Sequence, residues 1–111
     1  MAQRYVPEAG DIVWLHFDPQ AGHEQAGHRP ALVVSPSGYN AKTNLLICCP
    51  MTTQLKGYPF EVIIAGELPG AALADQVKSL DWVARKARMK GKVSAAELAQ
   101  VRAKIIALIG K

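Results

Sequence analysis

Asp11-Ile12-Val13-Trp14-Leu15-His16-Phe17 is the stretch whose reading decides the fold. Val13, Leu15 and Phe17 fall on one side, and Ile12, Trp14 and His16 on the other. A period of two marks a β-strand, here with one face in the core. Further along, Ala31–Ser35 and Asn44–Cys49 are short apolar runs bounded by Pro30, Pro36 and Pro50, as buried strands are. Phe60–Ile64 alternates again, with Phe60, Val62 and Ile64 inward and Glu61 outward. Ala65-Gly66-Glu67-Leu68-Pro69-Gly70 is a turn cluster. Ala72–Val77 reads as another strand and Ala84–Val93 as a basic one. Then the period changes. Ser94 with Glu97 three residues on is a capping box, and Leu98, Val101, Ile105 and Leu108 recur at helical spacing. Gly110 stands where a left-handed helix cap is expected. The expectation is a mostly β chain closed by a C-terminal α-helix of about four turns. Its short strands should form a small barrel or strongly bent antiparallel sheet.

Composition narrows the class. A chain of 111 residues, half of them apolar, reads as one domain spanning residues 1–111 with a single core. No apolar run reaches the roughly 18–20 residues that span a bilayer. Met1-Ala2-Gln3-Arg4 lacks the apolar stretch of a secretory signal, so a cytoplasmic location is expected. Cys48 and Cys49 are neighbours on one strand and point to opposite faces. A bridge between them is geometrically poor, and both read as reduced packing residues. The net charge of +4 is a modest bias toward polyanions. Its distribution says more: Arg85, Lys86, Arg88, Lys90 and Lys92 lie close together, and no acid stands between Asp81 and Glu97.

Candidate chemistry gathers in Gly22-His23-Glu24-Gln25-Ala26-Gly27-His28-Arg29-Pro30, a polar connection between two apolar runs. Polar groups on a loop anchored by strands make a good place for binding or chemistry. Gly22 and Gly27 let that loop bend or approach a ligand. Arg29 is either a surface arginine before a proline or a guanidinium fixed at a strand end, where its planar fork of donors suits phosphate. Thr52 is either a turn hydroxyl or a donor to that phosphate, with Thr53 the alternative if the register is off by one. Glu24 beside an arginine could orient it or take a proton. Gln76, Lys78 and Ser79 follow a strand, and Lys56, Tyr58 and Arg85 could line the same groove. Amide, hydroxyl, cation and ring are the mix that reads single-stranded bases. The His23-x4-His28 spacing fits no zinc signature, so no metal is expected. No Gly-rich phosphate loop or nucleophile elbow is present, and no cofactor is indicated.

Several ordered blocks together resemble the MazF/PemK family of toxin endoribonucleases. They are Arg4-Tyr5-Val6-Pro7, Gly10-Asp11, Phe17-Asp18-Pro19, Glu24 to Pro30, Pro50 with Thr52-Thr53-Gln54, Lys56 to Val62, and Ala72 to Ser79. The resemblance runs from Arg4 to about Gly110. It implies the family's SH3-like barrel with a C-terminal helix, the fold also used by CcdB-type toxins. It implies that Arg29 is the catalytic arginine, that Thr52 is its partner and that Glu24 takes part in activity. His28 fits the loop pattern as a substrate contact, beside Gln25. His16 departs from the family, whose members with these motifs are usually acidic there.

The resemblance further implies a metal-independent endoribonuclease that cuts single-stranded RNA at a short, ACA-containing motif. The products would be a 2′,3′-cyclic phosphate and a 5′-OH. It implies a homodimer acting as a growth-inhibiting toxin, neutralised by a cognate antitoxin with an acidic disordered tail. Two rival readings stand beside it. One is a CcdB-type gyrase poison, which has no need of an Arg29/Thr52 pair. The other is an RNA-binding module that leaves RNA uncut.

Overall fold

The structure is a computed structural model. It describes the backbone of residues 5–17, 27–66 and 70–110, and their side chains apart from those of residues 17, 27 and 28. In chain order the elements are β1 (Asp11–Phe17), β2 (Gly27–Val33), α1 (Ser37–Thr43), β3 (Leu45–Thr52), β4 (Glu61–Ile64) and β5 (Gly70–Leu73). A 3₁₀ turn (Ala74–Gln76), β6 (Lys78–Asp81), β7 (Arg88–Lys92) and α2 (Ala95–Ile109) follow. The sheet order is β4-β5-β3-β2-β1-β7, all antiparallel. β3 pairs with β6 along its first half and with β5 at its end. That division curls the sheet into a half-barrel with α2 against it, the mostly β architecture expected.

β1 departs from the expectation of one buried face at its start, where Ile12 of the second face is also in core; further along that face Trp14 is half-buried and His16 exposed. Ile12 packs with Leu32, Cys49, Met51, Val62, Ile64, Val101 and Ile105 on the α2 side. Val13 and Leu15 pack with Ala31, Val33, Leu46, Cys48 and Trp82 on the other. The alternation fails as a guide at Ile12 because the curled sheet is covered on both sides there. The cysteines do divide as expected, Cys48 to one cluster and Cys49 to the other.

Two strand readings and one helix reading are corrected. Ala72–Val77 is not one strand, because β5 stops at Leu73. The chain must step along β3, from the Met51–Thr52 register to the Leu45–Cys48 register, and the 3₁₀ turn makes that step. Ala84–Val93 is a turn followed by a short strand. The Asp81 carboxylate accepts from Ala84 N at 2.8 Å and Lys86 adopts φ 56°, so the chain reverses before β7 begins. α2 is not the only helix. Ser37–Thr43 forms α1, whose signals were Pro36 in front and Asn44 behind at φ 60°. A seven-residue helix is too short to hold itself in water and depends on tertiary contacts.

Asn40 supplies those contacts. It is wholly buried and donates to Pro7 O at 2.8 Å and Ser35 O at 3.1 Å. It also accepts from Ser35 Oγ at 2.6 Å, and its own carbonyl accepts from Trp82 Nε1 at 2.9 Å. The Asn40 side chain thus joins α1 to the N-terminal segment and the β2 exit, and its backbone carbonyl joins α1 to the β6–β7 turn. At the other end, the Ser94 and Glu97 capping box forms with both bonds in place. Of the α2 stripe, Val101 and Ile105 are buried while Leu108 is 43% exposed. Gly110 has φ −90°, in the right-handed region, so the expected left-handed cap is absent. Its N–H closes the last turn onto Ile106 O.

Replacing Asn40 by alanine strands several buried partners at once. Asn40→Ala should lower unfolding free energy by about 1–3 kcal/mol, while Lys42→Ala on the exposed side of α1 should stay within about 0.5 kcal/mol. Urea titration followed by circular dichroism measures both. Equal midpoints for the two variants would remove the buried network from this role.

Candidate active site

β2 and β3 pair with Ala31 opposite Pro50, Leu32 opposite Cys49 and Val33 opposite Cys48. Carried two residues further, that register sets Arg29 across from Thr52. Residues directly opposite in an antiparallel pair project to the same side. Arg29 is also opposite Leu15 of β1, so it stands on the Leu15 and Cys48 face, at the end where the core gives out. Its guanidinium is half-buried, and Nη2 donates to Met51 O at 3.1 Å. A guanidinium carries five N–H donors, so this anchor leaves the rest of the fork for a ligand. Thr52 Oγ1 accepts from Gln54 N at 3.1 Å. With a lone pair held by that amide, the hydroxyl proton is available to an incoming acceptor.

Gly70, in sequence one member of a turn cluster, contributes to this geometry. A Cβ there would lie 2.5 Å from Thr52 O, so only glycine lets β5 close against the strand that carries Thr52. No sequence signal separates this glycine from its turn neighbours.

The remaining expected residues divide between two faces and a loop. Lys78 is opposite Cys48 and lies on the Arg29 side, while Ser79 is opposite Ile47 and lies on the other. Strand alternation keeps that adjacent pair from lining one wall together. Arg85 reaches the same end of the sheet, with Nη1 donating to His16 O at 3.3 Å while His16 N donates to Arg85 O at 3.1 Å. Thr53, Lys56 and Tyr58 occupy the exposed loop between β3 and β4. That loop is fastened by Glu61, which accepts from Lys56 N and Gly57 N, and by Lys104 Nζ on Pro59 O. Tyr58 donates its hydroxyl to Asp75, which raises the phenol's pKa through that hydrogen bond first and the carboxylate's charge second. Gln76 is exposed at the end of the 3₁₀ turn. Glu24, Gln25, Gly22 and His23 lie outside the described residues, as does the side chain of His28; its backbone pairs with His16. Among the described residues no three His, Cys, Asp or Glu side chains form a set that could hold a metal ion.

Beneath the site, the Cys48 thiol is pushed up to about 12, by burial first and by Cys49 second, against the pull of Lys78 and Arg85. Burial likewise pushes Cys49 up to about 12.

Residues 8–109 match the family described as PemK-like, MazF-like toxin of type II toxin-antitoxin system. The chain belongs to that family. It is 59% identical over 111 residues to the endoribonuclease toxin MazF of Escherichia coli (strain K12), covering 99% of this chain and 100% of that protein. Over 84 residues it is 34% identical to the Escherichia coli endoribonuclease PemK, covering 70% of this chain and 63% of that protein. Among solved structures, MazF from Deinococcus radiodurans superimposes with a TM-score of 0.89 at 51% identity, covering 97% of this chain and 100% of that one. A MazE-MazF structure from the same organism gives 0.88 at 51% identity, over 96% of this chain and 98% of that one.

Thiols held this far above neutrality are unreactive while the fold stands. Native protein at pH 8 should therefore take up almost no thiol reagent, and both cysteines should label at once in denaturant. Rapid native labelling, counted by mass spectrometry, would show that the pair is accessible.

Proposed function

We propose that this chain is the toxin of a type II toxin–antitoxin system and acts as an endoribonuclease on single-stranded messenger RNA. The observation that supports the reading is the β2–β3 register, which, carried two residues beyond its last pair at Ala31 and Pro50, puts Arg29 and Thr52 on one side of the sheet, in a chain whose relatives are named endoribonucleases. Cleavage is sequence-specific, at a short motif containing ACA. It leaves a 2′,3′-cyclic phosphate and a 5′-OH.

In this chemistry the nucleophile is the 2′-OH of the nucleotide on the 5′ side of the scissile phosphate. The 2′-oxygen forms a bond to phosphorus and gives up its proton to a base. The bond from phosphorus to the 5′-oxygen breaks, and that oxygen takes up a proton from an acid. Between these events the non-bridging oxygens gain negative charge. Arg29 faces that charge with the donors left free by its anchor on Met51 O, already oriented before substrate arrives. Thr52 donates its hydroxyl to a non-bridging oxygen. Glu24 or a histidine of the same loop carries the proton. Lys78 and Arg85 draw the RNA backbone to this end of the sheet, and Lys56, Tyr58 and Gln76 meet its bases.

The protein works in the cytoplasm as a homodimer, and the acidic, disordered tail of a cognate antitoxin competes with RNA for the cationic groove. Among the described residues no helix is long and apolar enough to cross a membrane.

Arg29→Ala should reduce single-turnover cleavage by a factor of roughly 100 to 1,000, the usual loss for one transition-state donor. Thr52→Ala should cost less, and circular dichroism should show both variants folded. A folded Arg29→Ala protein cutting at the wild-type rate would take the arginine out of the mechanism. A second expectation concerns the nucleophile. An RNA with deoxyribose just 5′ of the scissile phosphate should bind normally and resist cleavage. Cutting of that substrate at the ordinary rate would require water as nucleophile.

A further inference from the structure

The opposite face of β1 carries a feature that the cleavage chemistry does not use. Trp14 is half-buried in the middle of β1, with Arg88 directly opposite on β7 and Pro30 opposite on β2. Opposite residues share a side, so a cation, an indole and a proline ring form a row across three strands. The β1–β7 register shifts between Ile12 and Val13, and Lys90 is the extra residue. Such a bulge re-aims a side chain. Here Lys90 Nζ sits 5.6 Å from the centroid of the Trp14 ring. His16, two residues along β1, is exposed on the same side.

The charge in this row is unspent. Lys92, the next cation on β7, is neutralised by Asp11 at 2.7 Å. Arg88 and Lys90 are exposed, and among the described residues neither is in an ion pair. The sequence places no acid between Asp81 and Glu97.

We infer that the Trp14, Lys90 and Arg88 row is a second subsite for single-stranded RNA, holding nucleotides beyond those that bracket the scissile phosphate. The inference rests on the RNA-cleaving function proposed for the Arg29 site. A flat ring beside two cations matches the repeat of an RNA strand, a base followed by a phosphate. An acidic peptide would need the cations but not the ring. A second copy of the chain would bring the same positive edge strand against this one, and lysines on an edge strand oppose such pairing. A base stacks on the indole as the Lys90 ammonium moves from the ring to a phosphate, and Arg88 takes the next phosphate. The two subsites meet at the end of β1, where Leu15 is paired with Arg29 and His16 exchanges hydrogen bonds with Arg85. An RNA strand leaving the Arg29 face passes Arg85 and His16 before it reaches Trp14.

The test compares two non-cleavable RNAs with deoxyribose at the nucleophilic position. One carries only the cleavage motif, and the other has single-stranded flanks. The wild-type protein should bind the flanked RNA roughly tenfold more tightly, the scale of one or two stacked bases. In the doubly substituted Arg88→Ala, Lys90→Ala protein this ratio should fall close to one. Its slope of log affinity against log salt on the flanked RNA should drop by about 1.4, for two lost phosphate contacts. Trp14→Leu, which keeps an apolar side chain and removes the ring, should lose the ratio with a smaller change in slope. Thermal melts establish that each variant is folded. A double variant that keeps the full flanked-RNA advantage, or a wild type that never had one, overturns the subsite. A change in dimer mass without a change in the ratio also overturns it and makes this row an interface between copies. Failure of the wild type to bind the motif-only RNA would count instead against the RNA reading of the Arg29 site.

Discussion

The pairing of β2 with β3 is the constraint on which the rest depends. Ala31 opposite Pro50 and Val33 opposite Cys48 set which side of the sheet Arg29 and Thr52 occupy. A slip of one residue would send Arg29 to the opposite face from Thr52. It would also exchange the contents of the two cores, since Leu32 and Cys49 belong to one and Val33 and Cys48 to the other. Burial on both faces therefore defends the register, and the register aligns the candidate catalytic pair. Gly70 adds to this by letting β5 lie against Thr52 without a Cβ in the way.

All the acids of the described residues except Asp75, which accepts from the Tyr58 hydroxyl, are tied to backbone amides. Glu8 accepts from Ala9 N and Ser37 N, and Asp11 from Tyr5, Glu8 N and Lys92. Glu61 accepts from Lys56 N and Gly57 N, and Asp81 from Ala84 N. Glu97 accepts from Ala65 N and Ser94 N. Carboxylates tied down by amides keep their charge, as the lowered pKa of Glu8 and of Glu97 indicates; the amide of Ser37 is the larger cause for the first and that of Ala65 for the second. They act as caps and clasps spread over the fold. The basic residues of β7 and its preceding turn are concentrated instead. A net charge of only +4 thus becomes a local positive field at one end and one edge of the sheet.

Departures from the sequence reading share a cause. β1 alternates in composition yet its start is buried on both sides, because curling closes the sheet over Ile12 as well as Val13. The strand expected over Ala72–Val77 breaks because its two halves pair with different parts of β3. α1 has too few residues, seven, to carry a periodicity, and its stability comes from Asn40. Each of these is a nonlocal contact, and local propensity does not report on it.

The sequence by itself determined the β-rich class, the C-terminal helix with its Ser94 and Glu97 cap, the separation of the two cysteines, and the residue types suited to phosphate. These follow from period, capping chemistry and side-chain functional groups, which are local properties. Only the tertiary structure decided the β2–β3 register that turns Arg29 and Thr52 to one side of the sheet, that Lys78 and Ser79 part to opposite faces, and that Lys90 comes to rest over Trp14. Those placements depend on strand register and on one bulge, set by burial across the whole sheet rather than by any residue's immediate neighbours.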